Sequence, residues 1–435
     1  MEFIVRGQYV ITMNEKDEII EDGAVFVKDG VISDIGTFPE ILKRYKTTTQ
    51  IYGNSYSAVM PGFINTHTHA AMALFRGIAD DLPLKKWLTE HIWPKEAKFL
   101  SPEFVYDGTA LACYEMLKSG TTTFNDMYFF TESIAQAAKD LKIRAVVGQG
   151  VLDFPTVSGK DADEYLKKAE EFINKYKDDD FITPAVAPHA IYTCSRETLL
   201  KSKNLALKYN TPIHIHLSET FHEVDECIKN YGVRPVKYLE NIGFFEGRVL
   251  AAHSVWVDDE EIELMAKYNV AVSHCIESNL KLSSGIAPVA KMIKRGVIVS
   301  MGTDGAASNN NLDLLEEISI AAKVQKGITG DPTVVDVKSC MKMLTIWAAK
   351  ALGLETQLGS IEVGKKADLV VMNLKKAHLQ PIYDIYSIII YSAKASDIED
   401  VFVNGTPVVV NGRHQFIDED EVIGKALWWA KKIKS

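Results

Sequence analysis

The rhythm of apolar and polar positions changes twice along the chain. Up to about residue 58 it consists of short β-branched and aromatic runs: Phe3-Ile4-Val5, Tyr9-Val10-Ile11, Ala24-Val25-Phe26-Val27 and Val31-Ile32-Ser33-Asp34-Ile35. Asp29-Gly30 lies between the last two runs, and an Asp-Gly there predicts a hairpin, because glycine supplies the positive φ that a tight turn demands. Residues 357–417 return to this texture. Gly359-Ser360-Ile361, Asp368-Leu369-Val370-Val371-Met372 and the stretch Val401 to Gly412 read as strands with Asn-Gly turns.

Between these ends, strand-like runs alternate with helical periodicity. Val59 to Thr66 precedes helical sequence from Leu84, and Thr121 to Asn125 precedes a helix near 131–141. Runs at 145–148, 181–186, 212–217, 248–253, 270–274 and 297–302 continue the series, and 419–434 reads as a closing helix. About eight strand–helix alternations over roughly three hundred residues predict a (β/α)8 TIM-like barrel of parallel strands. A doubly wound open sheet is the alternative, but no G-x-G-x-x-G follows an early strand. The expected organisation is therefore an N-terminal part of a small β-sandwich (1–58), a barrel (59–356), and the rest of the sandwich with a closing helix (357–435).

Composition narrows the function classes. With 435 residues, 47% hydrophobic and 24% charged, the chain reads as an ordinary soluble globular protein with ample core, consistent with the α/β class that the alternation predicts. A net charge of −10, with only short basic pairs such as Lys365-Lys366, speaks against a nucleic-acid partner. The five cysteines are odd in number and lack any C-x-x-C pair, which fits a reducing compartment and argues against thiolate zinc. The start Met1-Glu2-Phe3-Ile4-Val5-Arg6 has no signal-peptide pattern, and no apolar run approaches a membrane span. A cytoplasmic location with no membrane partner is expected.

The chemistry sits where the apolar strands end. Loops of a parallel barrel converge at the C-terminal ends of its strands, and active sites form there. His67 and His69 follow Phe63-Ile64-Asn65-Thr66, and residues two apart in extended backbone face one way. His216, His253 and Asp304 close later strands. Taken alone, H-x-H is as readily a hydrogen-bonded pair as a ligand pair. With His216, His253 and Asp304 in the same topological position, a catalytic site for one divalent ion becomes the better reading, zinc first, with iron, manganese or cobalt open. Glu219, three residues after His216, offers a carboxyl beside that ion for proton transfer. His214 is expected to pack one layer deeper; His91, His222, His378 and His414 are expected on the surface; His274 stands at a strand end where it could line the pocket.

Four stretches together, Pro61-Gly62-Phe63-Ile64-Asn65-Thr66-His67-Thr68-His69, His216-Leu217-Ser218-Glu219-Thr220, Ala252-His253 and Gly302-Thr303-Asp304-Gly305-Ala306-Ala307-Ser308-Asn309-Asn310, resemble the amidohydrolase superfamily. The likeness is to its 5-methylthioadenosine/S-adenosylhomocysteine deaminase branch, which includes 5′-deoxyadenosine deaminase-like members. It implies His67, His69, His216 and Asp304 as metal ligands, with Asp304 also taking a proton from water. His253 would hydrogen-bond that water, and Glu219 would pass a proton to the purine. It also implies a mononuclear site, since no strand-end lysine occupies the bridging position. Trp87, Glu96, His189 and Ser308 would contact the nucleoside. Gln149 stands where some relatives carry arginine, and a neutral amide cannot form the charged pair that arginine makes with a carboxylate. The resemblance thus implies hydrolytic deamination of an adenosine-type nucleoside by a homo-oligomer. The rivals are a guanine or cytosine deaminase or a chlorohydrolase on the same metal site, and a non-catalytic scaffold.

Overall fold

In the computed structural model, which describes residues 1–46 and 50–434, the apolar run from Val59 is divided at Gly62 between two sheets. Ser57–Pro61 belongs to a mixed sheet, and Phe63–Thr68 begins a parallel one. The single strand expected there is therefore two. A side chain at Gly62 would place its Cβ 2.1 Å from Thr122 Oγ1, so only glycine lets the chain pass this closely beneath the next strand.

The parallel sheet has eight strands in sequential order: β1 (Phe63–Thr68), β2 (Thr121–Tyr128), β3 (Arg144–Val151), β4 (Ile182–Pro188), β5 (Ile213–Leu217), β6 (Val249–His253), β7 (Ala271–His274) and β8 (Val299–Met301). Helices follow most of them, many started by a side-chain cap: Ser101, Asp161, Ser195, Thr220 and Asp258 each accept from a backbone amide three residues on. β8 returns to β1 through side chains. Thr66 Oγ1 donates to the Met301 carbonyl at 2.8 Å and lies 2.7 and 2.9 Å from the hydroxyls of Ser273 and Ser300. Asn65 Nδ2 donates to Thr303 Oγ1 at 2.8 Å, while Thr303 N donates back to Asn65 Oδ1 at 3.1 Å. One backbone bond, Asp304 N to the His67 carbonyl at 3.0 Å, completes the seam. An α/β barrel with an appended sheet is the architecture.

Both chain ends build that appended sheet. Its order runs Arg413–His414, Thr406–Val410, Ile398–Val403, Leu369–Asn373, Ser57–Pro61, Glu2–Ile11, Ile19–Lys28, Val31–Thr37, with Ile51–Gly53 also beside Glu2–Ile11. Three strand spacings, about 14 Å in a flat sheet, separate Phe3 from Phe402. Their rings nevertheless stack with centroids 5.1 Å apart, so the sheet is rolled over its own core like a sandwich. The expected turns form at Asp29-Gly30, Asn404-Gly405 and Asn411-Gly412, each with two consecutive positive φ angles. Gly359-Ser360-Ile361 is not a strand; Ile361 makes a single backbone bond to the Thr12 carbonyl, 2.7 Å, without a ladder. The helix Glu419–Lys434 lies on Pro102–Lys118, where Trp429 Nε1 donates to the buried Asp107 carboxylate at 2.8 Å. Among the described residues, no helix is long and apolar enough to cross a membrane.

Candidate active site

Five residues from four strand ends converge at one mouth of the barrel. His67 lies near the end of β1 and His69 directly after it; His216 is near the end of β5, His253 ends β6, and Asp304 follows β8. His69 Nε2 is 3.2 Å from His216 Nε2, and Asp304 Oδ1 is 3.3 and 3.4 Å from the Nε2 atoms of His67 and His69. Donors held about 2.0–2.1 Å from a tetrahedral ion stand about 3.4 Å apart, the spacing seen here. The ligand atoms of His67, His216 and His253 likewise lie within 4.8 Å of one another.

Hydrogen bonds behind the rings fix which nitrogen faces inward. Nδ1–H of His69 donates to the Met127 carbonyl at 2.6 Å, and Nδ1–H of His216 to the His189 carbonyl at 2.9 Å. Two bare Nε2 lone pairs therefore point at each other, an arrangement that repels unless a cation lies between them. His67 Nδ1 shares a 2.8 Å hydrogen bond with His214, and its buried Nε2 has no hydrogen-bond partner. Burial lowers His67 to about 4 and pushes His216 well below its ordinary value, which keeps both rings neutral and able to ligate. Burial alone would raise Asp304, but the adjacent imidazoles, His67 first and then His253 and His69, hold it well below the usual carboxylate range. The cluster is a buried His/Asp metal site.

The chain reaches this geometry through uncommon backbone. Asp304 (φ 60), His253 (φ 69), Ser218 (φ 51) and Ser254 (φ 48) are all left-handed without being glycine. Ser278 and Ser308 donate to Asp304 Oδ2 at 2.6 and 3.0 Å, and Gly305 N donates to Oδ1 at 2.9 Å. Asn279 Oδ1 accepts from His253 Nδ1–H at 2.9 Å. After β1, Asp126 accepts from Thr68 Oγ1 and Ala70 N, both at 2.7 Å, and so holds the loop that carries His69.

Glu219 reaches the same mouth. Its Oε1 accepts from Ser284 Oγ at 3.0 Å, and Oε2 lies 3.7 Å from His253 Nε2. Burial pushes its carboxyl above the ordinary range, with His253 pulling it back. His69, His216, His253, Asp304 and Glu219 all line one cavity of ≈ 290 Å³, at the small end for a small-molecule site. Trp87, Glu96, His189 and Ser308 line it too. Tyr128 OH donates to Glu96 Oε1 at 2.5 Å, and Thr193 Oγ1 stands 2.9 Å from His189 Nδ1, whose ring burial lowers to about 3.

Some expected residues fall elsewhere. Gln149 is not among the lining residues: strand alternation gives Gly150 to the cavity, and the Gln149 amide donates to the Gly150 carbonyl at 3.0 Å. His274 is fully buried but does not line the cavity. His222 and His378 are exposed, and His214 is buried behind His67 as expected. His91 and His414 are half-buried rather than on the surface. Tyr128, Ser278, Asn279, Ser284 and Asp126 were missed. Tyr128 and Asp126 sit at a barrel strand's C-terminal end, the one signal that could have found them.

The amidohydrolase family model matches residues 58–408. The chain belongs to the amidohydrolase family. This amidohydrolase is 80% identical over 434 residues to the 5-methylthioadenosine/S-adenosylhomocysteine deaminase of Thermodesulfovibrio yellowstonii, covering 100% of this chain and 99% of that one. It is 44% identical over 434 residues to the 5′-deoxyadenosine deaminase of Methanosarcina acetivorans, covering 99% and 98%. Among solved structures, an adenosine deaminase from Xanthomonas campestris with bound zinc is 38% identical, with a TM-score of 0.96 over 99% of this amidohydrolase and 98% of that chain.

Proposed function

We propose that this amidohydrolase deaminates an adenosine-type nucleoside hydrolytically, giving the inosine analogue and ammonia. The observation that carries the reading is the meeting of His67, His69, His216 and Asp304 at one mouth of the barrel, beside Glu219 and the cavity it lines. These four side chains would hold one divalent ion. Zinc is the first choice, given nitrogen and oxygen donors at tetrahedral spacing and the zinc in the Xanthomonas relative. When bound, such an ion supplies a Lewis acid that lets water act as a nucleophile near neutral pH. Asp304 accepts a proton from the attacking water as oxygen adds to purine C6. Glu219 delivers a proton to N1, and His253, its Nδ1–H held by Asn279, turns Nε2 toward the reacting oxygen. The C6–N bond then breaks: ammonia leaves with the proton taken from water by Asp304, and the proton of the C6 hydroxyl passes to Glu219, which restores its acid form and leaves the C6 carbonyl.

Nucleoside recognition follows from the same cavity. Glu96, with one oxygen taken by Tyr128, keeps the other for the ribose hydroxyls. Trp87 offers an apolar wall, and His189 faces the base or sugar. None of the described lining residues is lysine or arginine, whereas Glu96, Glu219 and Asp304 are acidic. Leu84, Leu88, Trp93, Phe154 and Val157 complete an apolar lining. An uncharged 5′ group, as in methylthioadenosine or 5′-deoxyadenosine, fits this surface better than an amino-acid tail. An unpaired carboxylate there should cost S-adenosylhomocysteine about 10–100-fold in kcat/KM. Kinetics on these nucleosides and on free guanine and cytosine, read by the ultraviolet change from adenine to hypoxanthine or by ammonia release, test the reading. Glu219→Gln should lower kcat by about 10²–10⁴-fold. Equal activity in that variant, or turnover of free bases alone, would refute it.

A further inference from the structure

Glu223 sits four residues beyond Glu219 and does not line the cavity. It is only 5% exposed, and both of its oxygens are occupied: Oε1 accepts from Ser218 N and Oε2 from Glu219 N, each at 2.8 Å. The bland account is a capping box, in which a glutamate three residues into a helix reaches back to the cap's own amide. The cap here is Thr220, whose side chain accepts from Glu223 N at 3.2 Å, but the carboxylate extends past Thr220 to the two preceding amides.

Those amides belong to the turn that aims Glu219. Ser218 is left-handed, at φ 51, which a side-chain-bearing residue adopts only when its surroundings impose it. Consecutive amides in such a turn form a concave anion site, filled here by a carboxylate of the same chain. The opposite side of the peptide is fixed as well: Trp256 N donates to the Ser218 carbonyl and Ser254 N to the Leu217 carbonyl, both at 2.9 Å. Gripped from both sides, the backbone leaves Glu219 little freedom to leave its place between Ser284 and His253.

We infer that Glu223 is a positioning residue, a backbone clamp that holds the proton-transferring Glu219 at its working angle. This rests on the proton-transfer reading of Glu219 given above. Misplacing a reacting group by about 1 Å costs about 10²-fold in rate. Glu223→Ala in the metal-replete enzyme should therefore lower kcat by about 10–100-fold, with KM and metal content near wild type. Glu223→Gln, which keeps one acceptor, should lose less.

A double-mutant cycle decides the matter. If Glu223 acts through Glu219, adding Glu223→Ala or Glu223→Gln to Glu219→Ala should change the residual single-turnover rate by no more than about twofold. The same fold loss in both backgrounds would mean a purely structural role and overturn the clamp, as would unchanged kcat in the single variants. Should Glu223→Ala fail to fold, the cycle with Glu223→Gln stands alone as the test. Wild-type activity in Glu219→Ala would instead show that the proton-transfer reading failed first and took the clamp with it.

Discussion

Gly302 lies between β8 and Asp304, and its want of a side chain is a matter of space alone. Its backbone is not left-handed, so an alanine would be conformationally comfortable there. The obstacle is His67: a Cβ on residue 302 would lie 2.7 Å from His67 Cβ, 2.9 Å from its amide nitrogen and 2.4 Å from Ser273 Oγ. Restoring ordinary contact requires His67 to move by about 1 Å, whereas metal ligands tolerate about 0.2 Å. Gly302→Ala should thus destabilise the fold by about 1–3 kcal/mol through overpacking and weaken metal binding by at least about 10–100-fold, as displaced ligand supports do. Gly327, inside the helix Leu314–Thr329, is the control. A Cβ there meets nothing within 4 Å, so Gly327→Ala should stabilise by about 0.5–1 kcal/mol and leave the metal untouched. Elemental analysis after dialysis, competition with a chromophoric chelator, and thermal melts measure all three quantities. Full metal occupancy with wild-type kcat in Gly302→Ala would refute the claim that His67 is a ligand placed by this contact.

The remaining predictions concern pH, metal and the closing helix. His414 accepts from Phe416 N and Ile417 N on Nδ1, at 3.1 and 3.2 Å, and burial lowers it to about 4. Its folded value lies below the unfolded one of about 6.5. Its stabilisation is thus complete above pH 6.5 and is lost as pH falls toward 4; the full difference amounts to about 3 kcal/mol, which solvent around this half-buried ring reduces to roughly 1–2 kcal/mol, and denaturant titrations across that window should lose this slope in His414→Gln. Chelation should abolish activity and lower the melting temperature, because the facing Nε2 atoms of His69 and His216 then repel, and zinc should restore both. Trp429→Ala removes a 4%-exposed ring and takes its Nε1–H from the Asp107 carboxylate, which keeps Lys425 at 3.8 Å, so it should cost about 3–5 kcal/mol in calorimetry while kcat stays near wild type.

The barrel was legible because most of its strands, β3 through β8, are short, largely apolar runs with strong boundaries, and the helix at Thr131–Leu141 falls where its periodicity puts it. The five converging metal-site side chains were legible because strand ends can be located and H-x-H marks one of them. What lay hidden depends on side-chain direction. Ser278, Asn279 and Ser284 look like ordinary surface polars, and only the packed segment after β7, the short helix Ile276–Lys281 and the loop behind it, turns them toward Asp304, His253 and Glu219. Gln149 and Gly150 differ by one step of a pleat, too fine a distinction for a sequence pattern to place at the cavity wall. The run Val59 to Thr66 carries no polar interruption where it changes sheets, because Gly62 makes the crossing by close approach rather than by a turn.

The rolled sheet has a consequence for how the protein is made. Ser57–Pro61 pairs antiparallel with Leu369–Asn373, so its partner leaves the ribosome only after some three hundred further residues. At about 5–20 residues per second that is a wait of roughly 15–60 s. Throughout, the nascent N-terminal strands present an open apolar edge of the kind that mispairs with other chains. A barrel completed before its flanking sheet gives newborn molecules a window in which shielding by chaperones, rather than final stability, governs yield.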